Sequence, residues 1–309
     1  MKIVNISGGL GNQMFQCAFA MALKLHFPDE CVFIDTHHYK VNFLKKFRNI
    51  NLHNGFEVAD IFPRFPLQVA DKESIRNVTY YIPNYWLSRC VRKFLPKKKT
   101  EYLEKRNFVY DTNVWNVSGN TYYEGYWQAL GYISDIRKQI SKIYSFPSIN
   151  HYSQKVLSQI LASDSVGIHV RRGDYLKDPD FGGICGERYY SRAIALFLSD
   201  ENKHTFFVFS NDIEWCKSHF EELLFNQNII YVDGNMGNES MYDMYLMSQC
   251  HNLIIANSTF SWWGAFLNDK GGSIIAPSPW VDRDVQPDIY EPSWRIIKAD
   301  DRIMSKFRG

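Results

Sequence analysis

Apolar and polar positions follow two different rhythms along this chain. Lys2 to Ile6 is a short apolar run, long enough for a strand and too short for a helix. Ser7-Gly8-Gly9-Leu10-Gly11 interrupts it as a turn. From Asn12 to Leu25 the apolar residues Phe15, Ala18, Phe19, Ala22 and Leu25 recur at helical spacing. Cys31 to Asp35 reads as a second strand. The stretch from Leu44 to Phe108 is rich in aromatics, Pro and Asn and keeps no period.

From Ser165 the rhythm is regular. Ser165–Val170, Thr205–Ser210, Ile229–Asp233, Leu253–Asn257 and Ser273–Ala276 are near-continuous apolar runs. Between most of them lie helical segments at Glu187–Ser199, Ile213–Phe225, Ser240–Cys250 and Phe260–Leu267. Apolar strands alternating with helices mean a parallel sheet covered on both faces. The expected fold class is α/β with two Rossmann-like domains. The expected division is 1–155 and 156–309, following the break at Phe146-Pro147-Ser148.

Ligands of open parallel sheets bind beyond the carboxyl ends of the strands. The strands of the second half end in Arg171-Arg172-Gly173-Asp174, Ser210-Asn211-Asp212, Asp233-Gly234-Asn235 and Asn257-Ser258-Thr259. Helix caps account for many of the Asp, Asn, Ser and Thr residues. They do not account for two adjacent arginines. Side chains alternate along a strand, so Arg171 and Arg172 point to opposite sides. One can enter a cleft, where its fork suits a phosphate, while the other pairs locally. Ser258 and Thr259 open a helix and form a second anion site. Together these groups suffice to hold a diphosphate.

The first turn offers a competing chemistry. Gly9-Leu10-Gly11-Asn12-Gln13-Met14 is a dinucleotide fingerprint lacking its third glycine, and Asp35 stands where a ribose-binding acid would. A nicotinamide-dependent oxidoreductase is therefore a rival on this half alone. Met14 opposes it, because close helix packing there favours Gly or Ala. Asn12 and Gln13 bring amides suited to hydroxyls or phosphate. Asp178-Pro179-Asp180 and Asp282-Arg283-Asp284 could chelate a divalent cation against a diphosphate. With Arg171 nearby no metal is required, and both strings read as loops.

Composition narrows the class. The chain has 309 residues and a net charge of +2, with 35 basic and 33 acidic residues. At about 150 residues per domain, two domains are expected. Near-neutral charge gives no reason to expect a nucleic-acid partner. Within Arg89 to Arg106, however, there are eight basic and two acidic residues. A solvated loop explains this run; so does attraction to an anionic acceptor, or to anionic lipid in peripheral contact with the inner membrane surface. No apolar run reaches a membrane-spanning length of about 18 residues, and the N-terminus lacks a signal-peptide core. A cytoplasmic location is expected, with six reduced cysteines and four chance glycosylation sequons. The 49 Phe, Trp and Tyr residues exceed ordinary usage. A lectin-like binding module would explain the rings, but not the clustered phosphate-type groups.

Four blocks resemble a known family. Gly8-Gly9-Leu10-Gly11-Asn12-Gln13-Met14-Phe15-Gln16, His169-Val170-Arg171-Arg172-Gly173-Asp174-Tyr175, Phe209-Ser210-Asn211-Asp212 and Asn257-Ser258-Thr259-Phe260-Ser261-Trp262-Trp263-Gly264-Ala265 look like the motifs of bacterial α-1,2-fucosyltransferases, glycosyltransferase family 11. The resemblance implies a GT-B type enzyme that is inverting and metal-independent. It implies transfer of L-fucose from GDP-β-L-fucose to O2 of a terminal galactose, on an O-antigen, capsule or lactose-type glycan. Another GDP-sugar is the alternative donor.

By the same resemblance, the second domain holds the donor and the first the acceptor. Asn12 faces the donor from the first domain. His169 and Arg171 contact the guanine side and the β-phosphate, and Arg172 belongs to the same motif. Asn211 or Asp212 reads the guanine edge, and Ser258, Thr259 and Phe260 make the phosphate turn. Arg171 is expected to stabilise the leaving phosphate. For the base that deprotonates the acceptor, Asp174, Asp178, Asp180 and Glu187 are all suitable in type, and Asp174 could instead orient Arg172. Tyr122-Tyr123-Glu124-Gly125-Tyr126-Trp127-Gln128 is a candidate acceptor wall, although a buried strand would give the same pattern.

Overall fold

A computed structural model describes residues 1–39, 54–82, 85–92, 94–146, 148–199 and 203–299. The beginning of the unpatterned stretch, up to residue 53, lies outside the described residues, as does Lys93. The chain divides into two compact units. One is Met1–Pro147 with Val285–Ile289; the other is Ser148–Asp284 with the chain from Tyr290 onward.

The first unit is built on β1 (Lys2–Asn5), α1 (Leu10–His26) and β2 (Val32–Asp35). Three short helices follow: α2 (Val58–Ile61), α3 (Lys72–Val78) and α4 (Tyr85–Arg92). Then come β3 (Glu101–Leu103), β4 (Thr121–Glu124) and α5 (Arg137–Ile143). The sheet is parallel in the order β2-β1-β4-β3. From Leu10 to Leu23 every residue of α1 except Asn12 is buried. The helix stops where Phe27 precedes Pro28, a pairing that disfavours helical backbone. Rings fill the core: Phe19 stacks on Trp127 at 4.2 Å and meets Tyr123 and Tyr132 edge-on.

The second unit begins with α6 (His151–Leu161) and β5 (Ser165–Val170), then α7 (Glu187–Leu198) and β6 (Thr205–Ser210). It continues through α8 (Ile213–Leu223), β7 (Asn228–Val232), α9 (Met241–Gln249) and β8 (Asn252–Ile254). It closes with α10 (Thr259–Phe266), β9 (Ile274–Ser278) and β10 (Arg295–Lys298). The six strands are parallel, in the order β10-β9-β8-β5-β6-β7. Val166, Ile168 and Val170 of β5 pack with Phe206, Val208, Tyr189, Tyr190 and Ile194 in the core.

Both units are parallel α/β, so the expected fold class holds at this level. The division falls at Pro147/Ser148 rather than 155/156. The reason lies in α6, whose start bonds to the second unit. Asn150 caps it by accepting from Ser153 N (2.8 Å), and Ser153 Oγ donates to Asn235 (3.1 Å). Three strands had no clear sequence signal: β3, β4 and β10.

Lys2 is an apolar-run residue that carries a charge and is fully buried. Its ammonium donates to Val117 O (2.6 Å) and Gly119 O (3.0 Å), lies 3.4 Å from Glu30, and sits over the Phe27 ring. Lys2→Met leaves the partly buried Val117 O without its donor and Gly119 O with Thr121 Oγ1 alone, so it should lower the unfolding free energy by about 1–2 kcal/mol. A fall in the urea midpoint measures this.

Candidate active site

In the second sheet the chain runs from β5 outward through β6 and β7, then returns to the other side of β5 as β8. The reversal makes β5 and β8 a topological switch point, the place where an open parallel sheet forms a ligand crevice. The exits of these two neighbouring strands carry Arg171-Arg172 and Asn257-Ser258-Thr259. The structure thus brings together the arginine and the helix start expected to hold a diphosphate.

The two arginines differ in their surroundings. Arg172 is committed locally. Its Nε is 3.1 Å from Asp212 Oδ2, its guanidinium lies 4.3 Å from the Trp215 ring centre, and its backbone N donates to Asn211 Oδ1 (2.9 Å). Asp212 also caps α8, accepting from Trp215 N (3.2 Å). Asn211 and Asp212 are therefore employed in holding the arginine loop. Gly173 is part of this lock: its φ is +49°, and a Cβ there would lie 2.5 Å from Asn211 Nδ2. Arg171 stays half-buried, with its guanidinium 5.4 Å from the Tyr175 ring centre.

His169, two residues back along β5, is buried. Burial, then the positive charge of Arg171, push its imidazole down to about 3, so the ring is neutral at physiological pH. Its Nδ1 has no hydrogen-bond partner among the described residues. Tyr190 OH donates to its carbonyl (3.0 Å), and its ring lies 5.8 Å from Phe260. Ser258 caps α10, with Phe260 N donating to its Oγ (3.3 Å). Asn257 Nδ2 donates to Phe181 O and Trp280 O, both at 3.2 Å. Thr259 and Phe260 are half-buried in the first turn, while Trp262 and Trp263 anchor α10 in the core. The leading N–H groups of a helix lack intrahelical partners, so this turn suits phosphate oxygens.

The other carboxylates separate by environment. Asp174 lies in a 3₁₀ turn, Gly173–Lys177; its side chain is outside the described residues. Asp178 accepts from Asp180 N (2.8 Å) and Phe181 N (3.2 Å). Asp180 is paired with Arg283, and its carbonyl accepts from Asp282 N. The two Asp-x-Asp strings are tied to one another as loops. Among the described residues no group of three or more His, Cys, Asp and Glu could hold a metal. Glu187 is exposed at the start of α7.

Sequence reasoning missed Asp243. It is half-buried in the first turn of α9, where Asn235 Nδ2 donates to it (2.8 Å). Burial pushes its carboxyl up to about 7 against that hydrogen bond. The one available signal was a lone acid in the apolar run Met241–Cys250.

In the first unit, the amides of the glycine turn prove structural. Gln13 is fully buried; its Nε2 donates to Gly8 O (3.1 Å) and Gly55 O (2.7 Å), and its Oε1 accepts from Glu57 N (2.8 Å). Gln16 ties Ser7 to Gly125. Asn12 is half-buried and accepts from Gln128 Nε2 (2.8 Å). Gly8 has φ +83°, and a Cβ there would meet Asn12.

Asp35 is not available for a ribose. It is buried, and it accepts from His37 N, His37 Nδ1 and Tyr122 OH. Burial raises its pKa, but the His37 and Tyr122 bonds outweigh this and hold it below the usual range. The oxidoreductase reading loses its acid. The expected acceptor wall also changes, since Tyr122, Tyr123 and Trp127 are fully buried core rings. Glu104 holds the loop after β4, accepting from Tyr126 N (2.7 Å) and Trp127 N (3.2 Å). Burial pushes its carboxyl up to about 7 against those bonds.

In the second unit an arginine and a helix start flank a switch point, an arrangement suited to an anionic ligand. The model of glycosyl transferase family 11 matches residues 1–298, and the chain belongs to that family; it is a glycosyltransferase. Among its relatives, an alpha-1,2-colitosyltransferase of Escherichia coli is 32% identical over 289 residues, covering 91% of this chain and 93% of that protein. The O-antigen biosynthesis glycosyltransferase WbnK, also of Escherichia coli, is 30% identical over 305 residues, covering 94% and 98%. Among solved structures, the fucosyltransferase NodZ from Bradyrhizobium superposes with a TM-score of 0.48 at 12% identity, covering 86% of this chain and 93% of that one.

Asp243 gives a stability test with a defined sign. Its folded pKa is raised from 3.8 to about 7, so the folded state binds the extra proton. Its contribution therefore falls as pH rises between those values. Asp243→Asn keeps an acceptor for Asn235 and removes the buried charge. The variant should exceed the parent by about 1–3 kcal/mol at pH 8 and not at pH 4, as read by urea unfolding.

Proposed function

We propose that the protein is an inverting galactoside α-1,2-fucosyltransferase. It would transfer L-fucose from GDP-β-L-fucose to O2 of a terminal galactose on a glycan, such as an O-antigen or a lactose-type acceptor. The observation that carries this reading is Arg171, placed on one side of the β5/β8 switch point with the start of α10 on the other.

Fucosyl transfer breaks the bond between sugar C1 and the β-phosphate oxygen. The electron pair leaves with GDP, the sugar becomes oxocarbenium-like, and the galactose hydroxyl adds to the opposite face as it loses its proton. Negative charge grows on the β-phosphate, so a fixed cation there favours the transition state over the ground state. Arg171 supplies that cation. Ser258, Thr259 and Phe260 offer the first turn of α10 to the same phosphates. Neutral His169 adds a hydrogen-bonding ring without adding charge. With this arrangement no metal is required. Asn12 belongs to the donor-binding set in this reading.

Asn211 and Asp212 already serve Arg172. Asp243, near the exit of the next strand, is a better candidate for the N1–H and 2-amino donors of guanine, which a carboxylate accepts as a pair. For the acceptor proton, Asp178 and Asp180 are occupied, which leaves Asp174 as the carboxylate closest in sequence to Arg171.

One observation favours a second donor. The colitosyltransferase relative shares 32% identity over nearly its whole length, so GDP-activated colitose is the alternative. A screen of GDP-sugars with lactose and N-acetyllactosamine separates the readings. Product from GDP-fucose supports the proposal; product from the colitose donor alone replaces the sugar but keeps the mechanism. Arg171→Ala should lower transfer roughly 10²–10³-fold, with an unchanged circular dichroism spectrum. Near-parental turnover would exclude the assigned role.

A further inference from the structure

The basic stretch found in the sequence has no part in the transfer chemistry, and the structure gives it a shape. Residues 89–106 carry a net +6 in a chain whose total is +2, so the rest of the chain is net −4. The charge is segregated on one segment that runs from α4 to β3. The same segment carries Phe94, which is 87% exposed, and is preceded in α4 by Leu87, which is 54% exposed.

The backbone explains why these groups face outward. Phe94 N and Leu95 N both donate to Val91 O, closing a tight turn after α4. Tyr80 OH donates to Pro96 O (3.2 Å) and fixes the next residues. Lys98 is drawn inward: its ammonium donates to Arg76 O (2.9 Å) and Thr79 O (3.0 Å) and lies over the Tyr80 ring. Its neighbours Lys97 and Lys99 are left exposed on either side. A ring that projects from a fixed turn, flanked by lysines, costs solvation on a water-facing surface. It matches a boundary where headgroups are anionic and the layer beneath is apolar.

We infer that the α4–β3 segment docks this protein onto an anionic lipid bilayer, with Phe94 entering the headgroup boundary and Lys97 and Lys99 meeting lipid phosphates. A purely acidic macromolecule would use the lysines and leave the phenyl ring in water. Among the described residues no helix is long and apolar enough to cross a membrane, so the contact is peripheral.

The test is flotation of the full chain with phosphatidylcholine vesicles that do or do not contain phosphatidylglycerol. The parent should float with the anionic vesicles, stay behind with the neutral ones, and be released by salt. Lys97→Gln with Lys99→Gln should lower the partition constant roughly 30-fold. Phe94→Ser should lower it about tenfold or more. All three side chains are exposed, and melting temperature confirms that the variants fold. Absence of parental binding to anionic vesicles would overturn the inference, as would parental-level binding by Phe94→Ser. Binding to polyglutamate but not to vesicles would reassign the surface to an acidic macromolecule.

Discussion

The candidate site depends on how the two arginines that follow β5 are held apart. Two guanidiniums in sequence repel each other, and both would be drawn to a bound phosphate. Their different partners separate them. Arg172 turns to one side, where Asp212 neutralises it and Trp215 covers it. Arg171 instead lies near the Tyr175 ring, and its charge is felt by His169 two residues back. Asn211 and Gly173 hold the backbone between them in a shape that only glycine adopts without strain. A preorganised cation is useful to a leaving phosphate because it need not move when charge develops. In the proposed role of Arg171, the preorganisation comes from the contacts that hold its neighbour Arg172.

The first unit uses the same principle with neutral groups. Gln13 and Gln16 look like ligand-binding amides in sequence, yet their donors and acceptors go to backbone at Ser7, Gly8, Gly55, Glu57 and Gly125. Buried amides without partners would be costly, so these bonds hold the glycine turn and the loops around it in one conformation. Glu104 does the same for the loop after β4. Half-buried Asn12 is left at the surface of this scaffold, bonded to Gln128. Residues that look functional by type are here largely the frame that positions a few others.

The second half of the chain was legible in the sequence because its strands are buried on both faces. Ser165–Val170 and Thr205–Ser210 read as strands and are strands to the residue. The strand-exit rule then singled out Arg171 and Ser258 as candidates, and the structure places them at the exits of neighbouring strands. The first half was less legible. Its strands β3 and β4 are three and four residues long, too short for a period to emerge. Partners across long separations were also hidden: Arg172 meets Asp212 forty residues on, and Asp35 meets Tyr122 eighty-seven residues on. Without those pairings Asp35 resembled a ribose ligand, and the tie of Asn211 and Asp212 to Arg172 was hidden. Asp243 escaped notice because its burial, which perturbs it, depends on how α9 packs.

The proposed chemistry depends on a diphosphate lying between Arg171 and the start of α10. Calorimetric titration of the protein with GDP and with GMP tests it most directly, since the two ligands differ only in the β-phosphate. GDP should bind about tenfold or more tightly than GMP, as a charge-assisted bidentate contact would give, and Arg171→Ala should remove most of that difference. Equal affinity for GDP and GMP, or a preference for GDP that survives in Arg171→Ala, would contradict it.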